Sequence, residues 1–316
     1  MSTTAFPINP TLTAIAIAYK NPQIAFIADA VLPRRTTGKK FAYTVYSAAQ
    51  GYTIPDTKVG RKSEPTQVEF GGTQVNAEVV DWGLDDLVPN DETEAFNSAP
   101  KAPGAASPVN VSTMMLTHLI QLDRERRVAQ LVFNAASYAA GMSENLAAAD
   151  QWDNQANSDP VAKLSASLDK PLIRPNTLVL GRSGWSALRR HPKIVQAVNA
   201  TSQGAGLVSR QQVADLFELK EVLVGESFVN TAKKGQAASF SRVWGKSASL
   251  LYVDPNAAAI DQPTFGFTAQ WGSRIAGSIP EPKKGLRGGE TVRVGESLLE
   301  VVAANDLGYY LGTVVA

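Results

Sequence analysis

Two alternating segments, separated by a gap too long for a turn, constrain this chain more than any other feature. Phe41-Ala42-Tyr43-Thr44-Val45-Tyr46 forms the first. The second is Gln67-Val68-Glu69-Phe70, which breaks at Gly71-Gly72 and resumes as Gln74-Val75-Asn76-Ala77-Glu78-Val79. Both carry the period of a half-buried strand. The gap holds roughly twenty residues rich in Gly, Pro, Ser, Thr, Lys and Arg, against the two to five of an ordinary hairpin loop. A long hairpin with a polar, basic tip cannot bury itself in its own domain. The pattern therefore predicts a protein that completes its packing on neighbours.

The rest of the chain alternates breakers with periodic segments. Residues 1–37 read as an extended arm interrupted by Pro7, Pro10, Pro22 and Pro33, with one short helix at 11–19 capped by Asn9 or Thr11. A long helix is predicted over 110–140, capped by Asn110 or Ser112 and stopped at Gly141. At about 28 residues it would run roughly 40 Å. Its middle is Asp123-Arg124-Glu125-Arg126-Arg127, five charges that cover every side of the helix. Such a run is either a solvated mid-section or a set of ion pairs to another element or another subunit. Residues 141–170 read as loop with short helical pieces. Residues 172–270 alternate strands at 177–180, 222–226 and 250–253 with helices at 184–200, split by Pro192, and 209–219, capped by Ser209: a compact α/β unit. The last part is strand-rich, at 264–269, 291–294, 300–303 and 309–315.

Composition narrows the function classes. A length of 316 residues allows one large or two modest domains. With 30 basic and 29 acidic residues the net charge is +1, which argues against a protein held to nucleic acid by counterion release. It leaves room for a wall that merely encloses nucleic acid. The absence of Cys excludes disulfides, thiolate nucleophiles and Cys-ligated zinc. No segment approaches the roughly 18 consecutive apolar residues of a membrane span. The start, Met1-Ser2-Thr3-Thr4-Ala5-Phe6-Pro7, lacks the basic-then-apolar form of a signal peptide, and cytoplasmic synthesis fits.

Motifs that would carry chemistry are incomplete. Gly245-Lys246-Ser247 has Phe240 where a phosphate-binding loop needs Gly. Gly181-Arg182-Ser183-Gly184-Trp185 follows a strand and opens a helix, as a nucleophile elbow does, but has Trp where that motif needs its last Gly. A Ser183 hydrolase would also need His118 or His191, the two histidines of the chain. Asp85, Asp86, Asp91, Glu92 and Glu94 lack the spacing of a calcium loop and read as a solvated exit or as partners of a basic neighbour. No catalytic, metal-ligating or cofactor-binding residue is expected.

The order of these pieces, and some local wording, resembles the major capsid proteins of tailed bacteriophages, with their Hong Kong 97-type fold. Asn9-Pro10-Thr11-Leu12-Thr13 followed by Ile27-Ala28-Asp29-Ala30-Val31-Leu32-Pro33 is similar to the family's arm entering its hairpin, and Phe41-Ala42-Tyr43 to the hairpin's first strand. Thr177-Leu178-Val179-Leu180-Gly181, with Leu188 and then His191-Pro192-Lys193-Ile194, is similar to a recurrent strand–helix passage. Val243-Trp244-Gly245-Lys246 before Leu250-Leu251-Tyr252-Val253 is similar again.

The resemblance implies an α+β fold in five parts. These are an N-terminal arm at 1–37, an extended hairpin loop at 38–82, a peripheral domain at 83–171 with the spine helix 110–140, an axial α/β domain at 172–270, and peripheral return strands at 271–316. It implies hexamers and pentamers that close into an icosahedral shell around double-stranded DNA, assembled in the host cytoplasm and ending in the virion. The expected inter-subunit contacts are Phe41, Tyr43, Val45, Val68 and Phe70 on the hairpin and Lys58, Arg61 and Lys62 at its tip. Asp91, Glu92 and Glu94 are their expected acidic partners, and Asp123, Arg124, Glu125, Arg126 and Arg127 line the spine. The arm starts at once, so a separate scaffolding protein is expected, with a portal and a decoration protein as further partners. Some members crosslink through a loop lysine; Lys58 and Lys62 sit near the tip, but no partner Asn or catalytic Glu is legible. An encapsulin-like nanocompartment shell and a Ser183 hydrolase are the alternatives, and the long arm favours the phage side.

Overall fold

The computed structural model describes residues 6–20, 25–46, 52–69, 71–100, 105–254 and 263–316. Phe70 lies outside the described residues.

The arm holds α1 (Pro10–Ala18) and α2 (Ala28–Val31). Asn9 Oδ1 caps α1 by accepting from Thr11 and Leu12 N–H at 2.9 and 3.3 Å, while Pro10 occupies the first helical position, where no donor is needed. After β1 (Arg34–Thr36) come β2 (Lys40–Tyr46) and β3 (Gly72–Glu78), which pair antiparallel from Lys40↔Glu78 to Tyr46↔Gly72. The second strand thus begins at the Gly71-Gly72 break. Residues 67–69, expected within it, are unpaired.

The strand β4 (Val80–Pro89) leads into α3 (Asn90–Ser98) and then into α4 (Pro108–Val132). The α4 helix has 25 residues, about 37 Å at 1.5 Å per residue. It differs from the expected 110–140 at both ends. Ser107 is the cap, accepting from Asn110 N–H at 3.3 Å, with Pro108 next. The far end stops early because side chains take over its carbonyls: Tyr138 OH and Ser249 Oγ donate to Val132 O at 2.7 and 3.3 Å, and Ser137 Oγ to Leu131 O at 2.6 Å.

Next in the chain are β5 (Ser143–Asn145), α5 (Pro160–Leu168), β6 (Thr177–Gly181), α6 (Arg182–Leu188), α7 (Pro192–Val198) and α8 (Arg210–Leu216). They are followed by β7 (Glu221–Gly225), β8 (Phe228–Asn230), β9 (Phe240–Arg242) and β10 (Ala248–Leu251). The break at Pro192 and the Ser209 cap, here a full capping box with Gln212, lie where the sequence puts them. The chain ends with β11 (Gly266–Glu281), β12 (Gly289–Val302) and β13 (Gly308–Gly312).

Two sheets organise these elements. The first has order β1-β11-β12-β4 and is covered by α1 and α4. Leu12, Ala16, Leu116 and Ile120 from the helices meet Val88, Ala276, Val292 and Val294 from the strands. The second has order β5-β13-β10-β6-β7. Its strands β6, β10 and β13 are buried at every residue, the mark of strands covered on both faces. Leu164, Ile194 and Val213 of α5, α7 and α8 pack on it.

Three expectations about these sheets are corrected. Strand 308–312 does not join the sheet of β4, β11 and β12; it lies between β5 and β10, where Tyr309, Tyr310 and Leu311 are covered on both sides. Residues 143–168 carry β5 and α5 into that same core, with Leu146, Trp152, Leu164 and Leu168 buried there. Residues 266–270, placed with the α/β unit, open β11 of the other sheet.

The register of β11 against β12 shifts between Trp271 and Ile275. Gly272, at φ +69°, makes the turn of this bulge. The bulge aims Arg274 inward, where it is 8% exposed.

Candidate functional site

The hairpin presents the most unusual surface. Every residue of 52–69 is exposed, including Tyr52, Val59, Val68 and Ile54, the last at 90%. Bonds within the loop shape it. Ser63 N–H closes a turn on Gly60 O at 3.0 Å, and Thr66 Oγ1 donates across the loop to Asp56 O at 2.9 Å. Lys58, Arg61 and Lys62 stand at this exposed tip.

The base is different. Phe41 and Tyr43 share one face of β2 and both meet Phe267, with ring centroids 6.4 and 6.1 Å away, beside Val79, Ala269 and Val301. These two aromatics, expected to face a neighbour, anchor the hairpin to its own chain. Val45, farther out on the same face, is half-buried, and Val68 stays exposed beyond the paired strands.

The acids Asp91 and Glu92 sit in the first turn of α3, where the helix dipole favours them. Arg287, in the turn between β11 and β12, reaches Asp91 at 3.4 Å and Glu94 at 3.3 Å. Both pairs are exposed and contribute little each, so they are readily exchanged.

The charge run on α4 is mostly structural. Arg124 and Glu125 are buried, at 2% and 0% exposure, and their partners lie in the same chain, which corrects their assignment to a neighbour. Glu125 accepts from Ile27 N–H (3.0 Å), Ala28 N–H (2.9 Å) and Trp244 Nε1–H (2.6 Å). Burial pushes its carboxyl above the usual range, against the pull of those three donors. Arg124 bonds Asp29 at 2.5 Å, Thr268 Oγ1 at 3.1 Å and Leu32 O at 3.4 Å. Arg127 pairs with Asp123 and with Glu300 at 3.0 Å, and its guanidinium lies 3.8 Å from the centre of the Trp82 ring. Arg126 reaches Asp123 at 3.1 Å across the helix surface. Five consecutive charges on a packed helix force some inward, and these are paired on arrival.

Sequence reasoning missed the linked cluster beneath the arm. Glu296 Oε2 accepts from Arg274 at 2.8 and 3.2 Å and from Arg34 at 3.1 Å. Arg274 also donates to Ala16 O at 2.8 Å, at the end of α1. Arg34 donates in turn to Asp29 at 2.7 Å. The one available signal was Gly272 inside a strand pattern, which marks a bulge.

The candidate chemistry dissolves into packing. Ser183 Oγ donates to Gly245 O at 3.4 Å. His191 is buried as the cap of α7, with Nε2 at 3.0 Å from Ser158 Oγ and Nδ1 accepting from Lys193 N–H at 3.3 Å, so both its nitrogens are engaged away from Ser183. His118 packs against the Phe26 ring, with centroids 5.5 Å apart. In the Gly245-Lys246-Ser247 turn, Lys246 donates to Ala316 O and Ser247 Oγ lies 3.0 Å from Tyr310 OH. Among the described residues no group of three or more His, Cys, Asp or Glu could hold a metal ion, and no helix is long and apolar enough to cross a membrane.

Comparison with known proteins agrees with this geometry. Residues 136–255 match the family model of phage major capsid protein E. The major capsid protein of Pseudomonas phage JBD67 is 47% identical over 317 residues, covering 100% of both chains. A phage-related protein from Bordetella bronchiseptica, solved by crystallography, has TM-score 0.76 at 22% identity, covering 98% of each chain. The capsid structure of Cyanophage P-SCSP1u has TM-score 0.58 at 10% identity, covering 93% of this chain and 90% of that one. At such identities the two structures carry the fold, which is the Hong Kong 97-type α+β capsid fold. With full-length likeness at 47% identity, the chain belongs to the family of phage major capsid proteins.

Proposed function

We propose that this protein builds the shell of a phage head as hexamers and pentamers that close icosahedrally around double-stranded DNA. The observation that carries the reading is the hairpin: an exposed loop, 52–69, held out on two strands whose base is anchored to the chain's own sheet by Phe41 and Tyr43. Apolar side chains there are costly in an isolated subunit, and burying them against a neighbour is worth about 25 cal/mol per Å². Exposed ion pairs at the tip contribute little energy but fix register and reject wrong partners.

In this reading the five-stranded sheet and its helices form the axial domain, and the four-stranded sheet with α4 forms the peripheral domain. Residues Lys58, Arg61 and Lys62 meet Asp91, Glu92 and Glu94 of an adjacent copy, which releases Arg287. Asp123 and Arg126 remain available for contact along the spine. A net charge of +1 suits a wall past which packed DNA slides, in place of one that binds it. A separate scaffolding protein, a portal and a decoration protein complete the set of partners.

The test is negative-stain electron microscopy with light scattering, on the protein alone and with the scaffolding protein of the same phage. Closed shells, or rings of five and six, are expected. A monodisperse monomer under both conditions overturns the reading.

A further inference from the structure

We infer that the ribbon of β8 and β9 is a nucleic-acid contact, whose basic, aromatic face seats on the phosphate backbone of double-stranded DNA without reading sequence. The inference rests on the capsid reading and names the surface that meets the enclosed DNA.

The ribbon stands apart in composition. No Asp or Glu occurs between Glu226 and Asp254, a stretch that carries Lys233, Lys234, Arg242 and Lys246. Every residue from Lys233 to Arg242 is exposed. The register Phe228↔Arg242 and Asn230↔Phe240 puts these four side chains on one face. Arg242 stacks on the Phe228 ring at 4.4 Å, and Phe240 is 68% exposed beside them. At the base the carboxylate of Glu226 accepts at 2.7 Å from both Arg182 and Arg210, so it subtracts nothing from the charge of the ribbon.

The tip is held in shape. Gln236 N–H closes a turn on Lys233 O at 3.0 Å with Gly235 at φ +88°, and Asn230 Oδ1 accepts from Ala232 and Ser239 N–H, both at 3.0 Å. Five extended residues from Phe228 to Lys233 place the two lysines about 17 Å beyond Arg242, which faces Phe228.

This chemistry selects the occupant. Double-stranded DNA carries one phosphate charge per about 1.7 Å of axis, so a basic ribbon of this length finds partners in any register. Lysine is depleted at protein–protein interfaces, whereas Lys and Arg beside exposed apolar side chains are what backbone and groove contacts use. A few phosphate contacts per subunit hold DNA weakly and let it slide, in keeping with a chain whose total charge is +1.

The test uses unassembled full-length subunits and a fluorescein-labelled, mixed-sequence DNA duplex, with affinity read by anisotropy over a range of salt concentrations. Each lost phosphate contact lowers the slope of log K against log salt by about 0.9. Lys233→Gln, Lys234→Gln and Arg242→Gln together should therefore flatten it by about 2.7, and the two tip substitutions alone by about 1.8. Phe240→Ala should weaken binding at every salt concentration and leave the slope as it is. The urea midpoint should stay put in all of them, because these side chains are exposed. Lys283→Gln with Lys284→Gln, on the β11–β12 turn, removes two charges elsewhere and should keep the parent slope.

No binding by the parent at low salt, an unchanged slope in the ribbon variants, or an equal flattening in the turn variant overturns the inference. Ribbon variants that keep the parent slope yet fail to form shells assign the ribbon to a second copy and also overturn it. Assembly of the parent is read separately by electron microscopy. Shells formed by a parent whose ribbon fails these tests leave the capsid reading standing, and absence of shells overturns both.

Discussion

Arg274→Met removes one of the two guanidiniums that neutralise Glu296. The side chains of Arg274 and Glu296 are 8% and 1% exposed, so water screens neither. Methionine fills nearly the same space, which keeps the cavity contribution small. What is left is a buried carboxylate with Arg34 alone at 3.1 Å, an Oε1 with no hydrogen-bond partner among the described residues, and Ala16 O stripped of its 2.8 Å donor. Breaking a buried pair from one side costs about 3–5 kcal/mol. The retained Arg34 bond puts the expected loss near the lower figure, about 3 kcal/mol. Adding Glu296→Gln neutralises the stranded charge and should restore about half of that loss. The pH dependence has a definite sign. Burial alone would raise the Glu296 carboxyl, but Arg34 and Arg274 outweigh it and hold the group below its usual range. Its contribution is thus present above the unfolded value of about 4.3 and is lost as pH falls toward the depressed folded value. R274M should flatten that acid limb. Urea unfolding of unassembled subunits, followed by tryptophan fluorescence at constant m, measures both effects. A midpoint for R274M within about 0.5 kcal/mol of the parent, or a double variant no more stable than the single one, would refute the argument.

Trp244→Phe removes the 2.6 Å indole donor to Glu125 and should cost about 2 kcal/mol in the same assay, the size of a hydrogen bond to a charged group. Gly225→Ala would place a methyl 2.0 Å from Trp244 Cδ1, so we expect a loss of about 3 kcal/mol or more, read as soluble yield and urea midpoint. Charge reversal at Arg61 and Lys62 should cut shell yield while the exposed loop leaves subunit folding untouched. Equal loss of folded subunit would contradict it.

Elements with a local cause were legible in the sequence. The alternation at 41–46 and 74–79, the Asn9 and Ser209 caps and the break at Pro192 all arise within a few residues of where they act. Elements whose cause is tertiary were not. Helix α4 ends at Val132 because Tyr138 and Ser249 reach back to it, and nothing in the local periodicity reports that. The apolar run at 309–311 says that a strand is covered on both faces, but not by which sheet. Arg124 and Glu125 carry the charges of surface residues and become interior because the arm and Trp244 close over them. The two strands of the hairpin were legible as alternation, whereas the meeting of Phe41 and Tyr43, expected against a neighbour, with Phe267 was not, because Phe267 lies far away in the chain.

The central place of β13 has a consequence for synthesis. A ribosome releases the hairpin and α4 long before residues 308–312, yet without those residues β10 is an edge strand and β5 has nothing to pair with. The pieces suited to grip another copy therefore emerge on a nascent chain whose larger core is still open. Late delivery of one strand thus sets an order: the five-stranded sheet can close only after translation has passed β13.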